Sequence, residues 1–242
     1  MKTKTLKISL PQSWDELSPW QLQRIATVLR FGGKMPLDKF FFLILMGCRW
    51  YTFRRNLQAF WIRANVPMSE LRKDYLFLYT ENTRTLFPDL KVGKVPYRGF
   101  GDSTAQEFAA AEDLHAMWHD NGKPIEALRY MAAALYRFPG EAFDRYALDE
   151  RAKRFESVPV PALLAMELAY SGSKSQMLKL FKHSFKEGDG KGKGGKASFA
   201  KVITEMAGGK FGSYNETATA NIYTLLEQFN ENLKPKPKHR RR

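Results

Sequence analysis

The sequence predicts a mainly α-helical protein: a multi-helix, bundle-like body with a short N-terminal strand and a small hairpin or irregular lobe near residues 83–101. Three observations carry that expectation. Apolar residues recur at three- and four-residue spacing through most of the chain. Helix punctuation separates those stretches, with serine and threonine caps, prolines at first helical positions and Gly-Gly stops. Strict apolar/polar alternation is confined to short runs. At 242 residues the chain can bury a proper core, as one large or two small units.

Residues 4–10 alternate Lys4, Leu6, Ile8 and Leu10 against polar neighbours, a short strand pattern. Ser18, Pro19 and Gln21 then combine an N-cap, a first-turn proline and a capping-box partner, and Gly32-Gly33 closes the helix they open. Further helices are expected at 36–48, 55–64 and 69–79, the last capped by Ser69. From Thr83 to Gly101 the helical period fails, and two prolines, Gly93 and β-branched residues suit a hairpin or irregular lobe. Thr104 and Glu107 form a capping box for a helix to about Asp120, stopped by Asn121-Gly122. Pro124 opens the next helix, whose Leu128, Met131, Ala132, Leu135 and Tyr136 share an apolar face. Helices follow near 144–156, 161–171, 174–184 and 198–206, and the Ser213/Glu216 capping box starts a last helix to Leu233. The organisation expected is therefore a helical body over 1–185, a flexible Gly/Lys linker over 186–197, a C-terminal helical segment over 198–233 and a disordered basic tail over 234–242.

The formal net charge is +14, from 39 Lys and Arg against 25 Asp and Glu. The tail alone holds six cations, Lys234, Lys236, Lys238, Arg240, Arg241 and Arg242, yet the rest of the chain is basic without them. Nucleic acid, an anionic surface or an acidic protein could each answer that balance. Lone Cys48 sits in an apolar run, which excludes an intrachain disulfide and suggests a buried, inert thiol in a reducing compartment. The apolar run from Phe40 reaches only Cys48, far short of the about twenty residues a spanning helix needs, and the N-terminus lacks the apolar core of an export signal. Neither membrane insertion nor export is expected.

Motifs that could carry chemistry are few. Glu112, His115 and His119 share a helix face and form a ligand set, but no second Glu-x-x-His accompanies them, so two histidines beside Trp118 without a metal is the expectation. The run from Gly190 to Lys196 approaches a phosphate loop, yet Ala197 stands where the magnesium-binding hydroxyl belongs and no buried strand precedes it. With no Gly-x-Ser-x-Gly elbow and no flanking pattern at Cys48, neither catalysis nor a cofactor is expected. Arg49 to Arg55 interleaves three cations with three aromatics, as single-strand nucleic-acid sites do and as the end of a core helix also does.

Three segments together resemble a family. Leu10 to Gln21, Phe100 to Phe108 with its continuation to Arg137, and Arg151 to Phe155 look like small helical proteins of uncertain function encoded among the tail genes of tailed phages and prophages. Gly208 to Ser213 and the helix through Leu225 and Leu226 are similar to that family's close. The resemblance implies a non-enzymatic role in tail assembly, as a chaperone for the tape-measure protein or a minor structural component, in the bacterial host's cytoplasm or in the virion. The family offers no catalytic residues to transfer. The rival reading is a basic nucleic-acid-binding accessory protein. The residues expected to meet a polyanion or partner are Arg49, Arg54, Arg55, Lys191, Lys193, Lys196 and the six tail cations from Lys234 to Arg242.

Overall fold

A computed structural model describes residues 9–33, 37–120, 122, 124–182, 184 and 199–233. The chain is mainly helical, as expected, and no strand occurs among the described residues. Helices α1 (Pro19–Phe31), α2 (Leu37–Leu45), α3 (Phe53–Asn65) and α4 (Met68–Leu71) lead into a 3-10 stretch over Arg72–Tyr79. An irregular passage with a 3-10 turn at Arg98–Phe100 precedes α5 (Ala105–Asp120) and α6 (Ile125–Leu135). Helices α7 (Leu148–Lys153), α8 (Val160–Leu180), α9 (Phe199–Met206), α10 (Tyr214–Thr219) and α11 (Ile222–Asn232) complete the fold.

The centre is the hairpin of α5 and α6, turned at Gly122 with φ +76°. Alanines on both helices, among them Ala109, Ala110, Ala111, Ala132, Ala133 and Ala134, are buried. Small side chains let the two backbones approach closely, while Leu128, Met131 and Trp118 fill the remaining volume. Helix α8 packs on α6, on α1 and on the turn at Arg98–Phe100, and meets α5 through longer side chains such as Tyr170 and Glu167. There Phe100 meets Phe108 and Tyr170 at ring-centroid distances of 5.4 and 5.2 Å, both edge-on, the arrangement ring quadrupoles favour. The expected linker at 186–197 and tail at 234–242 lie outside the described residues. The segment between them docks on α5: Phe199 packs edge-on against Phe108 at 5.0 Å, and Ala105 N–H donates to the Ala220 carbonyl at 2.9 Å.

Several expectations need correction. The N-terminal strand expected at 4–10 falls mostly outside the described residues, and Ser9 and Leu10 carry no strand. Of the two forms expected for 83–101, the irregular lobe is present and the hairpin is not. Its backbone groups are satisfied by other parts of the chain: Lys94 bridges to Arg137, and the Asp15 carboxylate accepts from Thr85 N–H at 2.9 Å, Leu86 N–H at 3.2 Å and the Thr85 hydroxyl at 2.8 Å. Burial pushes the Asp15 carboxyl up, but these donors and the Arg84 charge outweigh it and hold the group below its ordinary value. Arg84 itself is buried and donates to the carbonyls of Trp14 and Leu86, both at 2.7 Å.

The helices expected at 161–171 and 174–184 are one helix, α8. Gly172 lies within it, and a Cβ there would sit 2.3 Å from the Arg84 carbonyl oxygen, so the glycine lets the 82–86 backbone lie against the helix. Conversely, the single helix expected from Ser213 to Leu233 is two. The chain breaks at Ala220-Asn221, where Asn221 bridges to Thr104 and its side chain caps α11 through Tyr223 N–H at 2.9 Å. Ser69 does not cap; Pro67 occupies the N-cap position of α4, and the helix tightens to 3-10 after Leu71 with a kink at Tyr75. The helix expected at 144–156 is the shorter α7.

Candidate functional site

Among the described residues, two places offer something beyond packing. The first is α3. Its inward side holds Ala59 and Ile62, the buried residues of the helix. On the opposite side Phe53, Leu57, Phe60, Trp61 and Ala64 stand at i, i+4, i+7, i+8 and i+11, which is one continuous helical stripe. That stripe faces solvent, with Phe53 76%, Phe60 71% and Trp61 59% exposed. A helix that turns its larger apolar face outward leaves favourable burial unused, which makes α3 a candidate docking surface. Arg54 and Arg63 are exposed on either flank, and α3 contains no acid.

The loop before α3 extends the surface. Trp50 is 93% exposed and stacks edge-on with Tyr51 at 5.5 Å. Behind it lies a groove of about 550 Å³ lined by Trp20, Val28, Phe40, Leu43, Arg49 and Trp50. Among the predicted contact residues, Arg49 and Arg55 are partly committed inside the protein. The Arg49 guanidinium lies 4.5 Å from the Trp20 ring centroid and donates to the Tyr51 hydroxyl. Arg55 crosses Gly47, where a Cβ would meet its Nη1 at 2.5 Å. Arg54 makes no ion pair with any described residue. Lys191, Lys193, Lys196, Lys234, Lys236, Lys238, Arg240, Arg241 and Arg242 lie outside the described residues. Cys48 is half-buried on the groove rather than fully enclosed. Burial raises its thiol pKa, and it donates weakly to the Arg55 carbonyl at 3.7 Å.

The second place joins α5 to α8. His115 and His119 are one turn apart on α5, and their Nε2 atoms approach to 3.1 Å. Oε1 of Glu167 on α8 stands 3.3 Å from the first and 3.6 Å from the second. The Ser171 hydroxyl donates to the same carboxylate oxygen at 2.8 Å. Burial pushes the Glu167 carboxyl up, but hydrogen bonds from His115 and Ser171 and the nearby imidazoles outweigh it and leave the group below its ordinary value. Glu112, the acid nearest these histidines in sequence, is not part of the cluster. It accepts from the Tyr170 hydroxyl at 2.8 Å and pairs with Lys174.

Sequence reasoning missed both Glu167 and the α3 stripe, for different reasons. Nothing within forty residues of His115 points to Glu167, which only the crossing of α5 and α8 brings close. The stripe was readable in the 53–64 spacing, but spacing alone does not say which side faces the core. No family model, curated protein or solved structure matches the chain, so geometry and residue chemistry carry the functional argument.

Proposed function

We propose that the protein works by binding rather than catalysis. In the setting implied by its resemblance to tail-module proteins, it is a phage tail assembly factor that holds a largely helical partner, the tape-measure protein being the leading candidate. The observation that carries this reading is the outward apolar stripe of α3 between two exposed arginines. Such a surface suits an amphipathic helix with apolar residues along one face and acids beside them, because side-chain spacing and charge are then both complementary. Basic residues at its edge would speed encounter with an acidic partner and make capture fall with salt.

Coexpression with the neighbouring tail genes, followed by pull-down, tests it. The Phe60→Asp/Trp61→Asp double variant replaces two exposed side chains, so it keeps the fold and is expected to lose at least tenfold in partner recovery. Recovery unchanged by the double variant would sink the assignment. So would tight, strongly salt-dependent binding of generic DNA without any tail protein, which would hand the role to nucleic acid, or dimerisation through α3 as the surface's only use.

A further inference from the structure

We infer that His115, His119 and Glu167 form a site for a divalent transition-metal ion of the zinc class, joining α5 to α8. The donor spacing matches such an ion. Three ligands on one face of a tetrahedron, each about 2.0–2.1 Å from a zinc ion, stand about 3.3–3.4 Å apart. The three donor atoms here are separated by 3.1, 3.3 and 3.6 Å, a nearly equilateral triangle centred on those values. An ion placed just above that triangle stands within bonding distance of all three donor atoms. Two imidazoles and one carboxylate suit zinc and related first-row ions, and histidines at i and i+4 on a helix place both rings toward one point.

The environment fits as well. His115 and Glu167 side chains are only 11% and 13% exposed, so the carboxylate is held in place, and the Ser171 hydroxyl orients it. His119, 44% exposed, provides the way in. Beside the cluster lies a cavity of about 110 Å³ lined by Ala26, Leu29, Arg30, Trp118, His119 and Glu167. Three protein ligands leave a fourth tetrahedral position for water or an anion, and this cavity is roomy enough to hold one. A second, independent observation points the same way. The Nε of Arg30 is buried without a hydrogen-bond partner among the described residues, while its guanidinium packs 5.5 Å from the Trp118 ring centroid in that cavity wall. A water or anion on the ion's open position would give this donor an acceptor. The resulting role is a clip between α5 and α8 with one exchangeable position. It is independent of the α3 surface.

The test uses untagged full-length protein, cleared of metal with a chelator and titrated with Zn²⁺ and, as a spectroscopic probe, Co²⁺. One equivalent should bind, with the visible bands of tetrahedral Co²⁺ and a higher melting temperature. His119→Ala and the isosteric Glu167→Gln should each weaken binding at least tenfold, whereas Glu112→Gln should leave it unchanged. His119 is half-exposed, so its variant folds, and circular dichroism verifies this for both. Absence of stoichiometric binding by the parent protein would overturn the site. So would binding that survives both substitutions, or binding abolished instead by His183→Ala with His239→Ala.

Discussion

Helices α3 and α6 carry apolar stripes of the same spacing and put them to opposite uses. On α6, Ala127, Leu128, Met131, Ala132 and Leu135 meet α5, α7 and α8 and are all buried. On α3 the larger residues Phe53, Leu57, Phe60 and Trp61 point away from the body, and the smaller face of Ala59 and Ile62 holds the helix down. The contrast shows that helical spacing marks an apolar face without saying whether the chain itself covers that face. It also separates residues that hold the fold from residues that a binding role can use.

The largest expected effect sharpens this contrast by making one chemical change in both regions. Leu128 is completely buried on α6, and Leu57 is 57% exposed on α3. Leu128→Ala removes buried contacts and leaves a cavity, so it should cost about 2–5 kcal/mol. Leu57→Ala should stay within about 0.5 kcal/mol. Chemical denaturation of both variants measures the difference. A loss above about 2 kcal/mol for Leu57→Ala would show that α3 already has its partner inside the chain, and the comparison would collapse.

Next in size is Gly172→Ala in α8. In an open helix interior this change should stabilise by up to about 1 kcal/mol, because alanine is the better helix former. Here the added methyl would come within 2.3 Å of the Arg84 carbonyl oxygen, and that backbone is tied down by the buried Arg84 side chain. The expected result is destabilisation of about 1–3 kcal/mol, opposite in sign to the propensity argument. A stabilised variant would mean that the 82–86 passage yields easily and belongs with α3 among the loosely held parts.

These regions also show what was legible in the sequence. The Ser18/Gln21, Thr104/Glu107 and Ser213/Glu216 capping boxes were readable because donor and acceptor are three residues apart, and all three are present. That α8 runs unbroken through Gly172 was not readable, because this glycine answers to a passage some ninety residues earlier, which no local window contains. The break at Ala220-Asn221 was hidden for the same reason, since Ala105 N–H and Thr104 are its partners. Of the histidine cluster, the His115/His119 pair was visible as an i, i+4 spacing, and its third member depends on the packing of α5 on α8. Local chemistry was thus readable and long-range juxtaposition was not.

The smallest effect compares the working cap at Thr104 with Ser69, an expected cap that the structure does not use. Thr104 begins α5: its backbone N–H donates to Glu107 at 2.8 Å, and its hydroxyl accepts from Glu107 N–H at 3.3 Å. The same Glu107 is buried and holds Arg137 through both carboxylate oxygens, at 2.8 and 2.6 Å, so the cap orients an ion pair as well as a helix end. Thr104→Ala should cost about 1 kcal/mol, at the upper part of the usual range if Arg137 loosens as well. Ser69 looks equally good on paper, but it lies inside α4, one residue past its start, exposed and without a capping bond. Ser69→Ala should therefore leave stability within about 0.5 kcal/mol. Melting temperatures of the two variants decide it. Equal losses would mean that α4 and the segment after α3 are tied to the body as firmly as α5 is, and the boundary between the fold's interior and its loosely held edge would move past Leu71.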